Sequence, residues 1–272
     1  GFQAAALAGT GPELVYGPSD VLDTFHTMGL LQDLARWYSA AEQKEFVEGA
    51  LTHLPAKDDP ARQELVQVGD RFGNHLALVY NRNHIKSPPK TTDELVRLAV
   101  ENTIDEDGDG RRDRYGIVWN FPEPFFAVPF VTGYGAWVFE EPSPLGRGQG
   151  EGASADKSPS PQPSPIGRGS ITPALDTPES VAAYEYIKAL RDEHRVVPAN
   201  CDYELADSLF KTGRAAMIIN GDWSWADYLD NPEIDAAVAV LPIVSATGQP
   251  MRPMIAPKGY SLNVIAEGET AD

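Results

Sequence analysis

The sequence predicts an α/β fold, and two observations carry this prediction. Short apolar segments alternate with longer segments in which apolar residues recur at helical spacing. The longer segments begin at Ser, Thr or Asp residues, which are suited to capping a helix. Alternation of strands and helices along one chain is typical of α/β proteins.

The elements are predicted in chain order from these signals. Strands are predicted at residues 14–16, 76–80, 115–119, 215–219 and 236–240. Helices are predicted to begin at Ser19, at Asp59-Pro60, at Thr91 with Glu94 in a capping box and at Thr177-Pro178, and a further helix ends at Gly213. The inward faces of these helices are predicted to carry Val21, Leu22, Phe25 and Met28; Leu65 and Val68; Leu95, Leu98 and Ala99; Val181, Tyr184, Ile187 and Leu190; and Leu205, Leu209 and Phe210.

The composition excludes several classes of function. The 272 residues include 40 Asp and Glu against 22 Lys and Arg, a formal net charge of −18. Such a chain lacks the basic surface that nucleic-acid binding needs. No apolar run approaches the ~20 residues of a membrane-spanning helix. Cys201 is the single cysteine, so the chain forms no internal disulfide and no cysteine-based metal cluster.

Residues 142–170 interrupt the α/β pattern. Most of them are Pro, Gly or Ser, and residues 142–148 return as a near-repeat at 163–169. Because such a segment buries too little apolar surface to offset the entropy of ordering it, we predict a disordered surface excursion.

An acidic loop carries the sharpest local motif. Asp105, Asp107, Asp109 and Asp113 occupy positions 1, 3, 5 and 9 of an EF-hand-type loop, with a glycine at position 6. Arg111, at position 7, would contribute its backbone carbonyl. Position 12 lacks the usual glutamate, and a solvated acidic turn is the alternative. We expect no other cofactor than a structural Ca²⁺ in this loop.

A second group of residues is aromatic. It comprises 119–126, Tyr203 and the segment 220–225. Sugar-binding sites combine flat aromatic faces with carboxylates and amides, although aromatics at strand ends also serve in cores. Glu123 lies between two prolines in an otherwise apolar run, where a carboxylate needs a partner such as a ligand hydroxyl.

Catalytic motifs are weak in this sequence. It contains no Gly-x-Ser-x-Gly elbow, phosphate loop, dinucleotide fingerprint or His-Glu-x-x-His zinc motif. A carbohydrate-active enzyme with Glu123 and Asp222 as acid and nucleophile is one hypothesis. A calcium-stabilised interaction module without a small ligand is another.

Eight short motifs follow one another along the chain, and their order resembles a known family. The motifs are Gly9-Thr10-Gly11-Pro12-Glu13-Leu14, Gly29-Leu30-Leu31, Tyr80-Asn81, Pro88-Pro89-Lys90-Thr91, Glu123-Pro124-Phe125-Phe126, Asp202-Tyr203, Phe210-Lys211-Thr212-Gly213-Arg214-Ala215-Ala216-Met217 and Asn220-Gly221-Asp222-Trp223-Ser224-Trp225. In this order they resemble maltose-binding-protein-like solute-binding proteins, the extracytoplasmic receptors of bacterial sugar ABC importers.

The resemblance implies an α/β, periplasmic-binding-protein-like fold of two lobes (type II). Residues 1–76 would form part of the first lobe, 77–255 the second lobe with the excursion at 142–170, and 256–272 a return segment to the first lobe. The chain is interpreted as a fragment, incomplete at both ends. Gly1 begins inside what resembles a helix end, and Asp272 follows a polar turn.

The resemblance also implies a sugar-binding cleft between the lobes. By matched motif position, the second lobe would contribute Glu123, Phe125, Phe126, Tyr203 and Trp223, and the first lobe Asp20. Gly17 and Asn74 stand where maltose-binding protein has a tryptophan and a glutamate. The resemblance therefore implies a sugar in general rather than maltose.

A non-catalytic receptor that binds a sugar or oligosaccharide for import is the leading hypothesis. The expected partners are the permease subunits of an ABC transporter, and the receptor is expected to be a monomer. Its expected location is the periplasm or the cell exterior, with a lipid anchor as one way of tethering it. The enzyme and the interaction module remain the alternatives.

Overall fold

The computed structural model describes residues 1–139 and 173–266. These residues form two compact units, one of residues 1–73 and 255–266 and one of residues 74–139 and 173–254. The boundaries predicted from the sequence fall at 76/77 and 255/256. The excursion predicted at 142–170 lies outside the described residues. Within the described ranges, no helix has both the length and the apolar character to cross a membrane.

Helices and strands alternate through most of the described chain. The α-helices are α1 (Phe2–Leu7), α2 (Leu22–Thr27), α3 (Ala40–Gln43), α4 (Thr92–Glu101), α5 (Pro124–Gly133), α6 (Pro178–Asp192), α7 (Tyr203–Lys211) and α8 (Trp225–Leu229). The strands are β1 (Leu14–Pro18), β2 (Leu51–Pro55), β3 (Gln63–Gly73), β4 (Leu76–Asn81), β5 (Tyr115–Val118), β6 (Ala215–Gly221), β7 (Ala236–Ala239) and β8 (Ala256–Leu262). The five strands predicted from the sequence are confirmed as β1, β4, β5, β6 and β7.

The first unit is built on an antiparallel sheet with the strand order β1-β8-β3-β2. Strand β8 comes from the distant end of the chain and lies between β1 and β3. A Cβ atom on Gly259 of β8 would lie 2.1 Å from the carbonyl oxygen of Val68 in β3, so the close approach of these strands requires glycine. The small core of this unit comprises Leu22, Leu31 and Val66, with Phe2, Phe25 and Leu54 packed against it.

The second unit contains a mixed sheet with the order β5-β6-β4-β7. Strands β5 and β6 are parallel, and the other two pairs are antiparallel. The two central strands, β4 and β6, are buried along their whole length, which explains their nearly uninterrupted apolar sequences. The largest fully buried side chains of this core include Trp119, Phe126, Phe130, Phe210 and Tyr228.

The helix predicted at Asp59-Pro60 is wrong. The Asp59 side chain accepts a hydrogen bond from the backbone N–H of Ala61, and its carbonyl accepts one from Arg62, which closes a turn. Strand β3 follows this turn directly. An Asp-Pro pair begins turns as readily as helices. The residues after this turn form a strand because β3 pairs with both β2 and β8.

Three predicted helix faces are partly wrong. In α7, Leu209 and Phe210 are buried as expected, but Leu205 is exposed. In α6, Ile187 and Leu190 face inward as expected, but Val181 and Tyr184 are exposed, and Ser180 and Ala183 take their place in the core. In α2 and the 3₁₀ turn before it, Leu22 is buried, whereas Val21 and Met28 are exposed. The small residues of α6 allow it to pack closely against α5, which a search for large apolar residues overlooks.

Helix α5 was not predicted. It begins with Pro124, which is suited to a first helical turn, and carries Pro129 in its interior. Its side chains from Phe126 onward are buried on all sides. A helix that is apolar all round has no amphipathic period, so its sequence could not be distinguished from a strand end.

Candidate functional site

Three aromatic side chains from separate segments come together on the second unit. Phe125 lies in the first turn of α5, Tyr203 begins α7 and Trp223 follows β6. The indole N–H of Trp223 donates a 2.9 Å hydrogen bond to the hydroxyl of Tyr203. The rings of Phe125 and Trp223 lie 6.3 Å apart between centroids, at 41°. We call these three residues the aromatic platform.

Trp223 is the most accessible member of the platform. Its side chain is 43% exposed. A ring of this size held in place yet facing solvent presents a flat apolar surface to a ligand. Tyr203 and Phe125 are half-buried. Tyr203 holds the N–H edge of the indole, and Phe125 lies beside the indole ring.

The end of β6 supports the platform through a buried polar network. The side-chain amide of Asn220 donates a 2.6 Å hydrogen bond to the hydroxyl of Tyr228, and its oxygen accepts one from the backbone N–H of Gly221. The Tyr228 hydroxyl donates in turn to Asp207 at 2.8 Å. Burial, followed by the hydrogen bond to Asp207, raises the pKa of Tyr228, so that the hydroxyl stays protonated. The sequence motif contained Asn220, but this role was not recognised.

Tyr203 takes its place from the start of α7. The side chain of Asp202 caps this helix by accepting a hydrogen bond from the backbone N–H of Leu205 at 2.9 Å. The cap fixes the first turn and therefore the direction of the tyrosine. The helix ends before Gly213, whose φ of +71° confirms the predicted C-terminal glycine.

Glu123 and Phe126 have different environments. Glu123 is exposed at the start of α5, and its carboxylate accepts a hydrogen bond from the side-chain amide of Asn120. Phe126 was predicted to line the ligand site, but its side chain is only 2% exposed and belongs to the core. Its ring supports that of Phe125 edge-to-face, with centroids 5.7 Å apart. We therefore correct its role to one of packing.

Asp20 lies in the first unit. It belongs to the 3₁₀ turn Ser19–Val21 that follows β1, and it is exposed. Its contribution to the ligand site stays a prediction.

The acidic loop brings together three of its five predicted metal ligands. Carboxylate oxygens of Asp105, Asp107 and Asp109 lie within 4.8 Å of one another. These carboxylates also accept hydrogen bonds from backbone N–H groups of the loop. Asp113 accepts one from the N–H of Glu106 at 2.7 Å, and Arg111 is exposed. Oxygen donors in this arrangement suit a hard cation such as Ca²⁺.

The two carboxylates considered for a glycosidase, Glu123 and Asp222, have different hydrogen-bond partners. Asp222 accepts a hydrogen bond from the backbone N–H of Asn74 at 3.1 Å and lies 3.8 Å from Nδ1 of His75. Glu123 is bound instead by Asn120.

Comparison with known proteins agrees with this architecture. The sequence matches the family described as bacterial extracellular solute-binding protein over residues 2–267. A maltotriose-binding protein from Pyrococcus abyssi is 23% identical over 254 residues, which cover 91% of this chain and 46% of that protein. A galactooligosaccharide-binding protein from Bacillus subtilis is 25% identical over 271 residues, covering 96% of this chain and 54% of that protein.

A solved structure is also similar to this chain. The maltose/maltodextrin-binding domain MalE from Bdellovibrio bacteriovorus bound to maltotriose has a TM-score of 0.74 and 37% identity, covering 98% of this chain and 61% of that one. The chain spans about half the length of the curated relatives it matches. This similarity confirms the predicted α/β fold of the two-lobe, periplasmic-binding-protein type. The chain belongs to the bacterial extracellular solute-binding protein family.

Proposed function

We propose that this chain recognises a sugar or oligosaccharide as part of a non-catalytic extracellular receptor. The observation that carries the proposal is the aromatic platform of Phe125, Tyr203 and Trp223, in which Trp223 is 43% exposed. Sugars present apolar C–H faces that stack on aromatic rings, and burial of such a ring gives large binding energy.

Polar groups beside the platform suit the hydroxyl rim of a sugar. Glu123 is exposed at the start of the helix that carries Phe125, and Asn120 holds its carboxylate in place. An ionised carboxylate is a strong acceptor for hydroxyl donors. Asp20 is proposed to contribute a further carboxylate from the first unit.

The names of the relatives favour oligosaccharides. One is named for binding maltotriose, another for galactooligosaccharide, and the similar solved structure is bound to maltotriose. All three are named as binding proteins or a binding domain, which favours the receptor over the enzyme.

The receptor is proposed to deliver its sugar to an ABC transporter. The family description places its members outside the cell membrane, and we propose the periplasm or cell surface, a lipid anchor and a monomeric state. The acidic loop with Asp105, Asp107 and Asp109 is proposed to hold a structural Ca²⁺.

A thermal-shift screen of the full-length protein tests the proposed function. The panel contains maltotriose, a galactooligosaccharide and a non-sugar control such as a mixture of amino acids. A ligand at 100-fold its Kd adds about 2.7 kcal/mol to the free energy of unfolding. We expect a shift with at least one oligosaccharide, none with amino acids, and no change of the sugar on prolonged incubation. A shift with amino acids alone, or release of sugar products, would contradict the proposal.

A further inference from the structure

Asp222 lies between the buried end of β6 and the exposed Trp223. Its carboxylate accepts a 3.1 Å hydrogen bond from the backbone N–H of Asn74 and lies 3.8 Å from Nδ1 of His75. In the opposite direction, the backbone N–H of Asp222 donates to the carbonyl of His75 at 3.3 Å. Residue 222 is thus joined to the first two residues of the second unit by contacts in both directions.

The backbone of Asn74 has an uncommon conformation. Its φ of +61° places it in the left-handed region, which asparagine adopts more readily than most residues other than glycine. Residues in this region are held there by their surroundings. The hydrogen bond to Asp222 acts on the N–H of this same residue.

Neighbouring contacts extend this connection. The ring of His75 packs edge-on against Trp225, with centroids 5.0 Å apart. Trp225 donates its indole N–H to the carbonyl of Asn220 at 3.2 Å. Residue 76 then pairs with residue 221 in the sheet. Residues 74–76 and 220–225 are therefore joined by hydrogen bonds and ring packing, and we call these two segments together the bracket.

We propose that Asp222 is a positioning residue of the sugar site, which fixes the loop that carries Trp223 to the point where the chain enters the second unit. Trp223 is held by Tyr203 at its N–H and rests on Gly221, but the backbone between them is held through Asp222. Rotation of this backbone would move the indole away from Phe125. The proposal rests on the proposed function and adds a residue that need not touch the sugar.

The bracket implies a coupling that can be measured. If a sugar stacked on Trp223 stabilises its loop, it also stabilises the hydrogen bond from Asn74 to Asp222. Binding should then slow hydrogen exchange of the Asn74 amide. A residue that only contributes to overall stability would not link ligand binding to this one amide.

The experiment compares three variants of the full-length protein with the wild type. Asp222→Ala removes the acceptor, Asp222→Asn keeps an oxygen acceptor without the charge, and Asp227→Asn is the matched control. Asp227 is an exposed acid on α8 that pairs with Lys211 at 3.3 Å. Maltotriose affinity is measured by calorimetry, and exchange at residues 74–76 by mass spectrometry with and without maltotriose.

We expect Asp222→Ala to raise the Kd for maltotriose about tenfold, the effect of losing one well-made hydrogen bond. Exchange at Asn74 should become faster, and maltotriose should no longer slow it. Asp222→Asn should restore most of the affinity and the slow exchange, and Asp227→Asn should match the wild type in both. If Asp222→Asn restores the affinity, and Asp222→Ala keeps a melting temperature near that of the wild type, the loss in Asp222→Ala reflects positioning rather than a general loss of fold.

Unchanged affinity and unchanged Asn74 exchange in Asp222→Ala would overturn the proposal. Equal losses in Asp222→Ala and Asp227→Asn would also overturn it, because they would reflect net charge alone. A wild-type protein that binds no sugar contradicts the proposed function. Exchange at Asn74 in the ligand-free variants then still decides whether Asp222 holds this residue.

Discussion

Trp223 lies directly on the backbone of Gly221. A Cβ atom at position 221 would be 2.1 Å from Cζ3 of the indole, far inside van der Waals contact. Gly221 is also the last residue of β6 and pairs with Leu76, so its backbone is fixed by the sheet. The orientation of the exposed indole therefore depends on the absence of one methyl group.

Gly221→Ala should displace the indole and weaken sugar binding. We expect the affinity to fall by at least about tenfold, because stacking depends on the position of the ring. A double-mutant cycle with Trp223→Ala isolates the cause. In the Trp223→Ala background, Gly221→Ala should change the affinity little, since no ring is left to displace. Additive losses in the cycle would show that Gly221 acts elsewhere.

Phe125 and Phe126 are adjacent but should respond differently to truncation. Phe126→Ala should lower the free energy of unfolding by about 3 to 5 kcal/mol, because its buried side chain leaves a cavity. Phe125→Ala should affect sugar affinity more than stability, since its half-buried ring borders Trp223. Urea unfolding and calorimetry on both variants measure the two quantities. A loss of affinity in Phe126→Ala together with a loss of stability in Phe125→Ala would contradict these roles.

Calcium should raise the melting temperature of the wild-type protein through the acidic loop. A cation that binds only the folded loop stabilises the fold by mass action. The double variant Asp105→Ala with Asp109→Ala should abolish this rise, because it removes two of the three clustered carboxylates. Asp230→Ala with Glu233→Ala, two exposed acids elsewhere, serves as the control. Identical melting curves in calcium and in chelator would leave the loop as a solvated acidic turn.

Cys201 should be unreactive in the folded protein. Burial raises the pKa of its thiol from 9.0 to about 11, and only the thiolate reacts with iodoacetamide. Alkylation at pH 8 should be slow in the native state and fast in urea. The pKa of this thiol is higher in the folded state than in the unfolded state. Its contribution to the free energy of unfolding is therefore fully present below pH 9 and is lost as the pH rises towards 11. Equal alkylation rates in both states would contradict this environment.

Elements with a clear apolar pattern or a helix-capping residue could be predicted from the sequence. The apolar runs that became β4 and β6 and the capped start of α4 at Thr91 are examples. The capping box at Thr91 is only half formed, because the Glu94 side chain accepts its bond from the N–H of Lys90. Such a choice between adjacent donors is decided by local geometry that a motif does not contain.

Other features depend on contacts between distant segments. Strand β8 lies between β1 and β3, yet its sequence has no strong alternation. The aromatic motifs indicated Trp223, Tyr203 and Phe125 as candidates, but not the hydrogen bond between Trp223 and Tyr203. The opposite environments of Phe125 and Phe126 follow from the packing of α5, whose apolar sequence looks the same on every side.

The affinity of the full-length protein for an oligosaccharide, with and without the Trp223 ring, tests the central claim most directly. Trp137, which is 45% exposed in the same unit, provides a control of equal size and similar exposure. By titration calorimetry with maltotriose and a galactooligosaccharide, we expect Trp223→Ala to lose about 2 to 4 kcal/mol of binding free energy and to keep its melting temperature. Trp137→Ala should bind like the wild type. Unchanged affinity in Trp223→Ala would remove the aromatic platform from the sugar site.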